Sequence, residues 1–163
     1  MALRFAAVAL ATLALVLMPA AGAGERNHGV HFTWISFDPP GEDDRSNESL
    51  NEEYVVLVND SERNVNLKGW TIHDLDQDNA YRFDDRFIFV EGARLRLLTG
   101  RGRDLTARCI DYCTGRAVNH SNHWDLEHEV WDSDRDRAIL EKPDGRVVDR
   151  CGYGISANRV KRC

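Results

Sequence analysis

The chain has 163 residues, 27 Asp and Glu against 21 Lys and Arg, a net charge of −6 and four cysteines. Once an N-terminal leader is set aside, that length suits one domain with one core and is too short for two. The acidic balance counts against unaided binding of nucleic acid or of an anionic membrane surface, both of which call for clustered Lys and Arg.

Residues 1–23 have the make-up of a secretory signal peptide. Arg4 precedes an apolar run over 5–18, followed by Pro19 and the small-residue site Ala21-Gly22-Ala23, which places the mature start at Gly24. The run is too short to span a bilayer and no stop-transfer pattern follows, so no stable membrane insertion is expected after cleavage. The expectation is a secreted, soluble domain over 24–163. Cys109, Cys113, Cys151 and Cys163 would then meet an oxidising compartment and form two disulfides. Three pairings are open. Cys109–Cys113 with Cys151–Cys163 is preferred because each closes a local loop, and the second would pin the C-terminal tail. The C-x3-C and C-x11-C spacings do not match paired zinc knuckles.

Short strands dominate the rest. Residues 30–37 are β-formers alternating with polar residues, stopped by Pro39-Pro40-Gly41. An acidic loop over 42–48 leads to residues 53–59, apolar on both faces as in a central, doubly covered strand. Residues 65–67 run through Lys68-Gly69 into 70–74, and the loop 75–79 returns along 80–83 as a hairpin. Residues 87–90 end at Glu91-Gly92; residues 94–99 alternate charged and apolar, a half-exposed strand. Residues 101–128 show little periodicity and read as a long loop or a short helical turn. Residues 129–131 and 137–141 flank an Asp-rich turn, Pro143-Asp144-Gly145 is a turn, and 146–153 is the last strand. About eight short strands, with turn signals between them, predict an all-β sandwich.

Several stretches resemble, in order, the lamin-tail domain family, an immunoglobulin-like sandwich found in nuclear lamin tails and in many exported bacterial proteins. Residues 35–44 resemble the opening of the exported bacterial group. Asn51-Glu52-Glu53-Tyr54-Val55-Val56-Leu57-Val58-Asn59 matches its N-x-E-Y-V-x-L-x-N strand, and Leu67-Lys68-Gly69-Trp70 its L-x-G-W hairpin. Thr99-Gly100-Arg101-Gly102 matches T-G-x-G, and Asp136-Arg137-Ala138-Ile139-Leu140 with 144–149 matches the closing hairpin. The signature positions are therefore Glu53, Tyr54, Gly69, Trp70 and Asp136. Gly69 allows a backbone geometry that a β-carbon disfavours and lets the Trp70 indole plug the core. Arg135 stands where the family's closing turn has Gly, and residues 108–128 depart from the pattern. The resemblance implies an immunoglobulin-like β-sandwich with no catalytic residues, a binding or interaction module whose partner is another exported protein or an envelope component.

Two patterns suggest chemistry of a different kind. Asp74, Asp76 and Asp78, with Asp85 at the twelfth position, have the alternate-carboxylate form of a calcium loop, although Asn79 replaces the usual Gly and such runs are also ordinary turns. Asp132, Asp134 and Asp136 repeat the form. His120, His123 and His128 could together hold zinc, giving a metal-binding envelope protein or a metal-dependent hydrolase as the alternative reading. Were DNA bound despite the acidity, Arg94, Arg96, Arg101 and Arg103 would make the phosphate contacts. No G-x-S-x-G elbow, phosphate loop, dinucleotide-binding glycine set or H-E-x-x-H is present.

Overall fold

The computed structural model describes residues 29–38, 44–108, 118–155 and 159–163. In chain order the elements are β1 (Val30–Ser36), the helical turn α1 (Asn47–Leu50), β2 (Tyr54–Asn59), β3 (Val65–Asn66), β4 (Thr71–His73), β5 (Ala80–Arg82) and β6 (Ile88–Phe89). There follow β7 (Arg94–Leu98), β8 (Leu105–Arg108), β9 (Val118–His123), β10 (Asp136–Glu141), β11 (Val147–Tyr153) and β12 (Val160–Arg162). A six-stranded sheet in the order β12-β1-β2-β7-β9-β8 faces a four-stranded sheet, β11-β10-β4-β5, with β3-β6 as a small separate ladder. The architecture is the all-β, immunoglobulin-like sandwich anticipated from the sequence.

Alternation decides which side chains meet between the sheets. On β7, Leu95 and Leu97 are buried while Arg94 and Arg96 point away. Val55 and Leu57 of β2 and Phe32 and Ile35 of β1 share the inner face; a register shift between Phe32 and Trp34 accommodates the odd spacing on β1. Opposite them lie Ile72, Ala138 and Leu140 from the smaller sheet, closed by Trp70 and Phe83. Each large apolar side chain so buried contributes roughly 1.5–3 kcal/mol. The hairpin read over 70–83 is present as β4 and β5, with Ile72 opposite Tyr81. Gly69 has φ +77° and donates to Phe83 O at 2.6 Å, and a β-carbon there would meet Pro143 Cγ at 3.0 Å. Both facts explain why glycine precedes Trp70.

The structure departs from the sequence reading in several places. Residues 101–128 are not simply a loop: β8 and β9 lie within them, and β9 runs parallel to β7, pairing Leu95 with His120. The residues of β9 are mostly polar, so it gives no hydrophobic period; its backbone is paired by ladders to β7 and β8, and the side chains it buries, His120 and Asn122, are polar. β11 is not the last strand. β12 adds to β1, pairing Trp34 with Arg162, which also raises the strand number above eight. The acidic loop contains α1, capped by Ser46, whose side chain accepts from Ser49 N at 3.1 Å. Arg135 replaces glycine without strain, since the described non-glycine residues with positive φ are Arg45, Gln77 and Asp125.

Cys151 of β11 is bonded to Cys163, just beyond β12, with Cα atoms 5.5 Å apart. The bond joins the two sheets and ties the tail down, as the preferred pairing required. Cys109, Cys113, Pro39-Pro40-Gly41 and the leader 1–23 lie outside the described residues. Among the described residues no helix is long and apolar enough to cross a membrane.

Candidate functional site

Two regions concentrate polar chemistry, and they use it differently. The first is the end of the sandwich where β2 begins and β10 and β11 meet the preceding loop. Glu53 is fully buried there. Its carboxylate accepts from Trp131 N at 2.7 Å and Val130 N at 3.1 Å, satisfying a loop that forms no strand of its own. Burial pushes its pKa up to about 7, against the lowering effect of Thr99, Trp131 and Val130, with Glu129 adding repulsion. Asp136 does the same work across the sheet, accepting from Leu75 N at 3.0 Å, Arg137 N at 2.6 Å and Asp132 N at 3.4 Å. Burial again raises its pKa, and nearby Asp74 pushes the same way. Tyr153 donates to Asp132 O at 2.6 Å and stacks on Phe37 with ring centroids 3.6 Å apart. The signature acids Glu53 and Asp136 thus hold loop backbone in place.

The carboxylate and imidazole clusters expected from the sequence do not assemble. Asp74 is buried; its Oδ2 accepts from Asn79 Nδ2 at 2.8 Å, while Oδ1 has no hydrogen-bond partner. Asp76 and Asp78 are exposed at a hairpin tip at which Gln77 takes φ 64°, whereas Asp85 is exposed beyond β5, past the opposite end of the hairpin. The tip behaves as turn chemistry, with the Asn79 side-chain amide taken up by Asp74 and His128. His120 and His123 are three positions apart on one strand and so face opposite sides of the sheet. His120 meets Thr106 Oγ1 at 3.0 Å and packs on Phe87, and burial lowers its pKa. His123 lies 3.4 Å from Asp104, and His128 meets Asn79 Oδ1 at 2.8 Å. Among the described residues no three His, Cys, Asp or Glu side chains form a metal-binding group. Nor does Thr106–His120 make a nucleophile–base pair of the triad kind, because the buried Nε2 of His120 has no group to orient it.

The second region is the outer face of the six-stranded sheet. Strand register places Arg162 of β12, Trp34 of β1, Val56 of β2, Arg96 of β7, Ser121 of β9 and Leu105 of β8 in one row across it. A groove of about 670 Å³ runs along this face, lined by Trp34, Tyr54, Val56, Arg96, Leu105 and Val160 among others, none of them acidic. A second hollow of about 570 Å³ adjoins it, sharing Trp34 and Arg94 and adding Arg150 and Arg162. Its one acid, Asp149, is occupied by Phe32 N at 2.7 Å. Among the described residues five large hydrophobic side chains are exposed; Trp34 at 39 %, Val160 at 42 % and Leu105 at 57 % are all on this face. The Arg96 guanidinium lies 4.4 Å from the centre of the Tyr54 ring. Of the four arginines singled out from sequence, Arg94 and Arg96 belong here, while Arg101 pairs with Glu127 and Arg103 is exposed on the following loop.

Sequence reading missed this face as a unit. The alternation over 94–98 marked two of its arginines, but Trp34 and Arg162 become neighbours only because β12 returns to β1.

No curated protein matches the chain. Compared with known families, residues 25–154 match the Lamin Tail Domain. The matched span includes the Glu53 and Asp136 braces, the Gly69–Trp70 turn and both principal sheets apart from β12, and the chain belongs to the lamin tail domain family, whose fold is the immunoglobulin-like sandwich described above.

Proposed function

We propose that the protein is an exported, non-catalytic binding module that engages its partner through the outer face of the six-stranded sheet. The observation that supports this is the gathering of Trp34, Val160 and Leu105, three of the five exposed large hydrophobics among the described residues, beside Arg94, Arg96 and Arg162. Aromatic and arginine side chains around an apolar centre are the composition of protein-binding surfaces, and a clustered exposed apolar patch marks one. The signal-like leader and the Cys151–Cys163 bond support export to an oxidising compartment, where another exported protein or an envelope component would be met. Membership of a family of immunoglobulin-like interaction domains supports the non-catalytic reading.

A photo-crosslinking side chain placed at Leu105, and separately at Leu75 on the hairpin tip, tests the reading in cells that make the protein. A discrete adduct from position 105 and none from 75 is the expected result. An adduct from 75 alone would move the binding site to the loop end and overturn it.

A further inference from the structure

We infer that the outer groove takes an extended acidic segment of a partner protein, with two carboxylates flanking an apolar side chain. This rests on the reading of that face as the binding surface and adds the chemistry of what it binds.

Charge is the first argument. The chain is acidic overall at −6, yet the charged side chains of the groove are arginines. Arg94 and Arg162 make no ion pair among the described residues, and Arg96 is held only against the Tyr54 ring. The Arg96 guanidinium, 4.4 Å from the Tyr54 ring centre, keeps its N–H donors for a carboxylate, since the ring face accepts its charge without taking them as hydrogen-bond partners. The same charges exclude a second copy of this chain, since a two-fold pairing of the face would set the arginines against one another.

Spacing is the second. In the row Arg162–Trp34–Val56–Arg96 the two arginines stand three strand intervals apart, roughly 14 Å. A peptide laid across the strands in extended form advances about 3.4 Å per residue and presents alternate side chains to one face. Its carboxylates at positions i and i+4 are then about 14 Å apart and reach Arg162 and Arg96. The side chain at i+2 falls between them, over Trp34 and Val56. The motif is acid, any residue, apolar, any residue, acid.

The lining is the third argument, and it separates a peptide from other polyanions. Single-stranded nucleic acid is held by successive aromatic platforms, one per base. Here Trp34 is the one exposed ring of the row, the half-buried Tyr54 ring beside it is covered by the Arg96 guanidinium, and the other apolar neighbours Val56, Val160 and Leu105 are aliphatic. Aliphatic side chains next to guanidinium groups suit apolar side chains interspersed with carboxylates.

The test is backbone amide NMR of the purified protein with its disulfide intact, titrated with four probes: a peptide of about eight residues alternating Glu with Leu at the stated spacing, its Lys-for-Glu counterpart, an oligothymidylate and a polyuronate. The Glu peptide should shift amides of β1, β2 and β7, and its affinity should fall about tenfold or more in both Arg96→Glu and Arg162→Glu. The Lys peptide should be silent. The two variants lie on different strands, and each one's own spectrum reports whether it is folded. Shifts of the same amides by the oligonucleotide or the polyuronate, with the Glu peptide silent, would overturn the peptide assignment and leave the face as the binding surface. Silence of the face toward all four probes, with a crosslink from position 75 alone, would overturn both.

Discussion

The two polar regions of this molecule contrast in where their hydrogen bonds go. At the loop end, both oxygens of Glu53 and both oxygens of Asp136 are taken up by backbone N–H groups of the chain itself. On the outer sheet face, Arg94, Arg96 and Arg162 have no carboxylate partner among the described residues. Groups satisfied from within build the fold, while groups left over on a shaped, apolar surface are available to something outside it. The buried acids are thus read as architecture and the exposed arginines as function.

Breaking the loop end should have the largest effect on stability. Glu53→Ala strands the N–H groups of Val130 and Trp131 in a buried site and should lower stability by about 4 kcal/mol, read as a large drop in denaturant midpoint. Cutting the Cys151–Cys163 bond comes next. Cys163→Ser releases a closed loop spanning 12 residues and should remove about 2–3 kcal/mol. It should also weaken the outer groove, because Val160 and Arg162 belong to the strand that this bond anchors.

The raised pKa of Glu53 gives the third prediction. Its folded value of about 7 lies above the ordinary 4.5, so the fold favours the protonated acid. That contribution is fully present below the ordinary value and is lost as pH rises through about 7. Asp136 shifts in the same direction and adds to the trend. Glu53→Gln imitates the protonated acid at every pH. The unfolding free energy of the wild type, measured relative to Glu53→Gln, should therefore fall between pH 5 and 8 by an amount on the order of 2 kcal/mol, read as a falling denaturant midpoint. A flat difference would mean that the carboxylate is ionised throughout. The smallest stability effect belongs to the outer face: Arg96→Ala should change stability by less than about 0.5 kcal/mol.

Much of the fold was legible because its strands bury one face and expose the other. Residues 94–98 and the 70–83 hairpin announce themselves by period and by Gly69, and the ordered motifs pointed to the family. What escaped the sequence depends on pairing rather than pattern. β9, with Asn119, His120, Ser121, Asn122 and His123, has no apolar period, and its place beside β7 follows from ladder bonds that no local pattern encodes. The three histidines looked like a cluster because they are close in sequence, whereas strand geometry turns His120 and His123 to opposite faces. The binding face is assembled from residues as distant as Trp34, Arg96 and Arg162, and β12 falls outside the span that matches the family. The buried acids were recognised as signature positions, but their role as acceptors for loop N–H groups needed coordinates.

The most direct test of the contrast is titration calorimetry of the Glu-Leu peptide against two variants, Arg96→Ala and Asp136→Asn, well below the melting temperature of each. The account predicts that Arg96→Ala weakens binding about tenfold, near 1.4 kcal/mol, while Asp136→Asn loses stability and binds within about twofold of the wild type. Unchanged affinity in Arg96→Ala together with lost affinity in a folded Asp136→Asn would contradict it, and would place function at the loop end.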